Sequence, residues 1–559
     1  MNAVVQIELP TIRFCRAVFF AKLLLMKFSF AKVRLPTLLN SLLTIFSAIL
    51  LTLAFPDFDL WFLAWFALVS LFYAIEREKE SIIKSFVLGW IFGTLFFAGS
   101  CWWLTFSFMT YGGIPMPIAY FLLLIICSIL GVFPAIFAAA FSTILKRFGT
   151  YGSLSAPFLW TAMEFLRFNL TDNNWNAIGY SQAFVNHLIQ TATIGGVYLV
   201  GFWIVFFNSI IALNSFDLFR VFVTKNYSHT NLRANKKIVY VSLLIALLII
   251  PFVSFPNFSS TNNSSEKIEN SVVVVQANVP MSGLNEEKWL RLRARHVELA
   301  EDALRKIPIR TATEISQTTT VIFPESPMNF SYGEDPELRR FIGDFALKHN
   351  ASVLFNSAEP NPKNDNYYNS AIMVNPQGSK IGQYDKIHLV PFGEFAPVPS
   401  PIKPLIPTLV GSFQSGENYN LFPIGDARAG ILICYESHFA SLSREFTRLG
   451  ADVLIEMTND GYLGNTGVLR QHLASAVFRA VETNRPVLRA TNVGITAYVN
   501  ERGEVSDAAD VYTEATRVWT VSKSDGRQTF YVKYGDWFAW LCSILSLGLL
   551  FYSFLKRKN

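Results

Sequence analysis

Eight long apolar runs constrain this chain of 559 residues more than any other feature, because backbone that crosses lipid has no water to bond and must satisfy itself as helix. The runs cover 38–55, 60–74, 86–108, 118–145, 154–168, 188–213, 238–252 and 538–555. A spanning helix needs about 20 mostly apolar residues, so several runs must borrow flanking residues. The fifth contains Glu164 and Arg167, whose i, i+3 spacing suits an intramembrane pair, a headgroup contact or a helix end at the interface. With 52% hydrophobic and 16% charged residues, the chain is too apolar for a soluble protein of this length. The net charge of +6 does not gather into a basic stripe with interleaved aromatics, so no nucleic acid partner is expected.

Basic residues instead alternate with the runs. They precede the first (Arg13, Arg16, Lys22, Lys27, Lys32, Arg34) and lie between the second and third (Arg77, Lys79, Lys84) and the fourth and fifth (Lys146, Arg147). They recur between the sixth and seventh (Arg220, Lys225, Arg233, Lys236, Lys237) and after the eighth (Lys556, Arg557, Lys558). Since cytoplasmic loops carry the Lys and Arg excess, this pattern predicts eight spans with both termini cytoplasmic and everything from about Ser254 to Asp536 outside. The expected organisation is a cytoplasmic arm over 1–37, seven spans over 38–253, a polar linker over 254–270, a water-facing domain over 271–530, and a last span with a basic tail over 531–559.

The water-facing segment has ordinary soluble composition and is long enough for one substantial core. It alternates strand and helix patterns. Strands are expected at 271–276, 320–323, 352–355, 429–433 and 453–457, and helices at 286–306, 337–348, near 439–449, and at 469–482. The turn signal Asn375-Pro-Gln-Gly378 between 371–374 and 380–384 marks a hairpin. This is the pattern of an α/β layered sandwich with a mixed sheet.

Of five cysteines only Cys434 falls in this segment, which leaves one candidate thiol nucleophile there and no internal disulfide. It follows the apolar strand pattern Ile431-Leu-Ile433, and strand ends deliver side chains to the rim of a cleft. The same local pattern fits a buried structural cysteine. A free thiol is mostly protonated at neutral pH and needs a base or a positive neighbour to attack. Two further segments offer these. Val321-Ile-Phe-Pro-Glu325 places a carboxylate just past a strand, and Tyr384-Asp-Lys386 opens a loop that continues His388-Leu-Val-Pro-Phe-Gly-Glu394. Glu325 alone reads as a surface acid and Lys386 alone as a solvated lysine; the combination is informative. His388, His438 and His472 lack metal-ligand spacing, and no cofactor or metal is expected.

Glu, Lys and Cys at three strand ends in this order resemble the nitrilase, or carbon–nitrogen hydrolase, superfamily. The segments that carry the resemblance are Pro-Glu325-Ser, Tyr-Asp-Lys386-Ile-His-Leu-Val-Pro-Phe-Gly-Glu394 and Cys434-Tyr-Glu436. Within it, such a domain placed between the last two of eight spans resembles the apolipoprotein N-acyltransferase family. Glu164-Phe-Leu-Arg167, Gly179-Tyr-Ser-Gln182, Thr458-Asn-Asp460, Gln471-His472 and Arg489-Ala-Thr-Asn-Val-Gly-Ile-Thr-Ala497 match as well.

The resemblance implies an αββα sandwich in the periplasm, anchored in a bacterial inner membrane. It also implies transfer of an acyl chain from a phospholipid, typically phosphatidylethanolamine, through a Cys434 thioester to the α-amine of an S-diacylglyceryl-cysteine apolipoprotein. Glu325 would be the base, Lys386 the oxyanion partner, and Glu394, Tyr435 and Glu436 supports. Trp289, Tyr462 and His472 would contact substrate. The sequence departs from the family where Leu463 replaces one of an aromatic pair and where a loop Trp is missing near Asn285, with Trp289 four residues on. The rival readings are a membrane-tethered amidase or nitrilase acting on a small amide, and a transporter or receptor whose domain only binds.

Overall fold

A computed structural model of the protein describes residues 35–56, 58–224, 269–307, 319–325, 331–364, 366–391, 393–395 and 413–555. The N-terminal arm before Leu35, the seventh run, nearly all of the polar linker and the last four residues lie outside the described residues. The chain divides into two compact units, Met1–Phe258 with Asp536–Asn559, and Ser259–Gly535 between them in sequence.

The first unit is helical. Among the described residues, four helical stretches are long and apolar enough to cross a membrane: Ile82–Ser100, Met116–Thr171, Ala192–Ser215 and Trp537–Phe554, with Leu38–Leu53 shorter. Several runs do not fold as the single spans expected of them. The fourth divides into helices Met116–Leu130 and Val132–Phe148. Pro134 is the cause, since it offers no N–H to the Leu130 carbonyl and its ring crowds that carbonyl. The break also serves packing. A Cβ at Gly131 would meet Thr94 Oγ1, and one at Gly89 would collide with the Pro134 carbonyl. These glycines let helix Ile82–Ser100 lie backbone against backbone on Val132–Phe148.

The second run is a tight turn at Trp61–Trp65 followed by helix Val69–Glu78. Its broken backbone is satisfied from other helices, as an apolar bundle requires. Asn208 accepts from the Leu68 N–H (2.9 Å) and donates to the Ala64 carbonyl (2.8 Å). Ser47 donates to the Ala67 carbonyl (2.7 Å) and Gln182 to that of Trp61 (3.0 Å). The third run stops at Ser100 and resumes as Leu104–Thr110. Glu164 and Arg167, on helix Ala156–Thr171, are only 4% and 2% exposed. Glu164 accepts from Trp160 Nε1 (2.9 Å) and the Ile178 N–H (2.8 Å); Arg167 donates to the Trp175 carbonyl (2.9 Å) and lies over the Phe97 ring. Both are therefore interior to the helical unit and not at a lipid-facing helix end.

Among the described residues, the second unit contains two six-stranded sheets. The first runs β12-β1-β2-β3-β4-β5, with β1 at Asn270–Gln276, β2 at Thr319–Ile322, β3 at Ala351–Pro360, β4 at Tyr367–Val374, β5 at Lys380–Asp385 and β12 at Ala515–Val521. The second runs β11-β10-β9-β8-β7-β6, with β6 at Leu421–Ile424, β7 at Ala427–Ile433, β8 at Val453–Thr458, β9 at Val487–Thr491, β10 at Ala497–Val499 and β11 at Val505–Ser506. In each sheet three central strands are parallel (β1-β2-β3 and β7-β8-β9) and the flanking pairs antiparallel.

Parallel neighbours need a crossover. Helices Glu286–Leu304 and Pro336–His349 make the crossovers of the first sheet, and Ala440–Arg448 and Val468–Thr483 those of the second. Side chains alternate across a strand, so Val273 and Val275 pack with Leu299, Ala300, Ile342 and Phe345 of the covering helices. Val272 and Val274, equally buried, lie on the opposite face. Thr491 of β9 donates to Gln276 of β1 (3.1 Å), tying sheet to sheet. The layers are helix, sheet, sheet, helix. Two sheets replace the one mixed sheet read from strand order.

Candidate active site

Three strands end at one place. Glu325 follows β2, Lys386 follows β5 and Cys434 follows β7. Lys386, with no exposed surface, puts its Nζ 3.0 Å from Glu394 Oε1 and 3.5 Å from Glu325 Oε1. Asn369 on β4 lies between the two acids, donating from Nδ2 to Glu325 Oε1 (3.0 Å) and Glu394 Oε1 (2.7 Å). The other Glu325 oxygen accepts from the Asn459 N–H (3.0 Å), and the other Glu394 oxygen from the Val390 N–H (2.7 Å). The half-buried Cys434 thiol feels Glu325 and Lys386 electrostatically and bonds Thr458.

Burial sets the protonation states. It raises the Glu325 pKa, with Lys386 offsetting part of the rise. Burial disfavours the Lys386 ammonium, but Glu394 and Glu325 outweigh it and hold the charge. Burial and Glu325 push the Cys434 thiol well above its ordinary value, against the pull of Lys386 and Thr458. The thiol thus rests neutral, so its proton must leave as it attacks.

Cys434 has φ of 54°, in the left-handed region a side chain disfavours. It opens the one-turn helix Cys434–His438. Glu436, fully buried, stitches that turn to the Lys386 loop: it accepts from the Ile433 N–H (2.8 Å), the Ile387 N–H (2.7 Å), the His388 N–H (3.1 Å) and the Tyr384 hydroxyl (2.8 Å). Burial raises its carboxyl to about 7 against these bonds. The Tyr435 ring packs on His438 and Phe439.

The three residues expected at substrate are placed differently. Trp289 sits half-buried in the first turns of helix Glu286–Leu304, inside the helix expected over 286–306, and Asn285 caps that helix by accepting from the Lys288 N–H. Tyr462 is 37% exposed on the turn Asp460–Leu463. His472 is 2% exposed and bonded to protein groups beneath the Cys434 backbone. Sequence reasoning assigned no role to Asn369, Asn459, Glu456 or Arg489. Asn369 was within reach, since extending the 371–374 strand pattern backwards puts it two residues from Ala371, on the same face.

The sequence profile of the apolipoprotein N-acyltransferase N-terminal domain matches residues 47–210, and that of carbon-nitrogen hydrolase matches residues 273–531. An apolipoprotein N-acyltransferase of Geobacter metallireducens is 32% identical over 508 residues, covering 90% of this chain and 92% of that one. Those of Pasteurella multocida and Haemophilus influenzae are 26% and 27% identical, each over 92% of this chain and at least 95% of their own. Two profiles that together take in the helical unit and the two-sheet unit, and an identity of 32% along almost the whole of both chains, place this bacterial membrane protein in the apolipoprotein N-acyltransferase family.

Proposed function

We propose that this protein moves a fatty acyl chain from a membrane phospholipid, phosphatidylethanolamine being the expected donor, to the α-amine of an S-diacylglyceryl-cysteine apolipoprotein. The observation that carries the proposal is the buried ammonium of Lys386 held between Glu325 and Glu394 beside the Cys434 thiol. Cys434 Sγ attacks the ester carbonyl while Glu325 takes the thiol proton. Lys386 stabilises the oxyanion, with a backbone N–H near Tyr435. Collapse breaks the ester C–O bond, the lysophospholipid alkoxide leaves with the proton from Glu325, and a thioester remains. The acceptor amine then attacks the thioester, Glu325 takes the amine proton, and Cys434 leaves as thiolate and is reprotonated. Glu394, Tyr435 and Glu436 support these groups, and Trp289 and Tyr462 contribute to the substrate surface.

Both substrates are lipids, and a soluble enzyme would expose each chain to water at about 0.8 kcal/mol per CH₂. A membrane anchor removes that cost. The charge alternation supports eight spans in the inner membrane, both termini cytoplasmic and the catalytic unit periplasmic. A reporter fused after Lys558 is expected to read as cytoplasmic and one inserted at Asn263 as periplasmic; the reverse would contradict this topology.

Covalent storage lets the first lipid leave before the second enters. Initial rates measured over a grid of donor and acceptor concentrations should therefore give parallel double-reciprocal lines. Intersecting lines would contradict a two-step transfer. Ammonia release from a small amide, with no acyl transfer from phospholipid, would point to an amidase instead.

A further inference from the structure

Beneath the nucleophile lies a buried charge cluster that the reaction as written does not use. His472 Nδ1 is 2.7 Å from Asp460 Oδ1, and its Nε2 faces Glu456 Oε1 (3.1 Å), Ser437 Oγ (3.1 Å) and the carbonyl of Cys434 (3.2 Å). Arg489 bridges the same two acids, Glu456 through Nη1 and Asp460 through Nη2 (2.8 Å). An imidazole with a carboxylate at each nitrogen holds a proton on both. Burial and Arg489 oppose that charge, but Asp460 and Glu456 outweigh them and raise His472 to about 9. His438 stacks on the His472 ring at 5.3 Å, and burial keeps it neutral. Arg479, two turns beyond His472 on the same helix, is paired with Glu482 (2.8 Å).

Helix Val468–Thr483 therefore presents one row of groups, at i, i+3 and i+7, to the turn that carries the thiol. His472 donates to the Cys434 carbonyl, Ser475 exchanges a bond with Ser437 Oγ (2.6 Å), and Arg479 donates to the Ser437 carbonyl (3.0 Å). The first of these grips the residue with φ of 54°, whose conformation its own sterics disfavour.

We propose that His472 is a positioning residue for catalysis: as a double donor anchored on Asp460 it holds the Cys434 carbonyl, and thereby fixes the left-handed turn from which Cys434 reacts. The proposal rests on Cys434 being the nucleophile. A side chain that only balances buried charge would have no preference for where its donor points; a positioning residue needs a donor at the Nε2 site.

Two neutral substitutions separate these roles. The terminal amide of His472→Gln reaches the Nε2 position and that of His472→Asn reaches only the Nδ1 position. Purified full-length variants in detergent are mixed with radiolabelled phospholipid, and the rate of thioester labelling is measured. His472→Asn is expected to slow labelling about 30-fold or more, and His472→Gln to stay within about 5-fold of the wild type, with KM for phospholipid little changed in both. Equal rates for the two variants, or a loss confined to KM, would overturn the proposal. If neither variant folds, Asp460→Asn keeps the imidazole and removes its anionic anchor. Its labelling rate should then fall about 10-fold or more with KM for phospholipid little changed, because the ring that holds the Cys434 carbonyl is no longer held itself. A wild-type labelling rate, or a loss confined to KM, would overturn the proposal. Absence of label in the wild type would instead remove the nucleophile assignment on which all of this rests.

Discussion

Cys434→Ser is expected to abolish acyl transfer, lowering kcat by about 10⁴-fold or more while the protein remains folded and inserted. The exchange alters one atom at a half-buried site, so packing and the turn at φ of 54° are kept. What changes is the acidity of the attacking group. The thiol already sits above its ordinary pKa through burial and the Glu325 charge. A hydroxyl, far less acidic at the outset, would ask a glutamate to remove a proton it cannot hold. A transporter or receptor with a binding-only domain predicts the opposite, full function in the variant. Transfer assays in detergent, with a thermal melt as the folding control, distinguish the two.

Lys386→Met is expected to cost nearly as much, about 10³-fold or more in kcat/KM at neutral pH, by a different route. Among the described residues the ammonium is the only cation bonded to Glu325 and Glu394, whose Oε1 atoms share the Asn369 Nδ2 donor. Without it two buried carboxylates face each other, and like charges that close do not both stay ionised. One takes a proton. The Glu325 pKa, already raised by burial, rises further, so the base is lost together with the oxyanion partner. Since the base must be ionised, the residual activity of Lys386→Met should climb as pH rises, more steeply than that of the wild type. A pH profile with the wild-type shape would show that Lys386 does not govern Glu325. Breaking a buried pair also destabilises, by about 3–5 kcal/mol, and denaturant unfolding should register it. Lys386→Arg is no rescue, because the side chain has no exposed surface and a planar fork does not fit a site built for one point charge.

The parts of this site that were legible in the sequence are those written locally. The apolar strands that stop before Glu325 and Cys434 can be read residue by residue, the strand before Lys386 from the hairpin turn that precedes it, and the crossover helices by their apolar spacing. The hidden parts depend on register. Glu456 and Arg489 stand opposite each other on parallel strands β8 and β9, so their pairing is invisible until the strands are aligned. A charge in the middle of each strand looks, in sequence, only like an interruption. His472, part of the matching pair Gln471-His472, was expected to contact substrate; its protein partners depend on strand pairing, which puts Asp460 and Glu456 around it and turns it toward the Cys434 backbone.

The outer strands β6, β10, β11 and β12 escaped notice because they are short or carry polar and exposed residues, and β6 contains Pro423; the buried strand β9 escaped it because it is only five residues long with Arg489 at its centre. In the helical unit, hydropathy marks where lipid-compatible sequence lies but not where a helix breaks. The unwound segment near Leu68 persists because Asn208, 140 residues away, bonds its backbone, and no local pattern announces such a partner.

The most direct test of the central assignment is a trapping experiment on the wild-type protein. Incubation with radiolabelled phospholipid and no acceptor, followed by denaturation and peptide mapping, should place one label on the peptide containing Cys434, releasable by neutral hydroxylamine as a thioester is. Addition of a diacylglyceryl lipopeptide before denaturation should move that label onto the lipopeptide amine. Label that resists hydroxylamine, maps elsewhere, or is absent while transfer still proceeds would contradict the account.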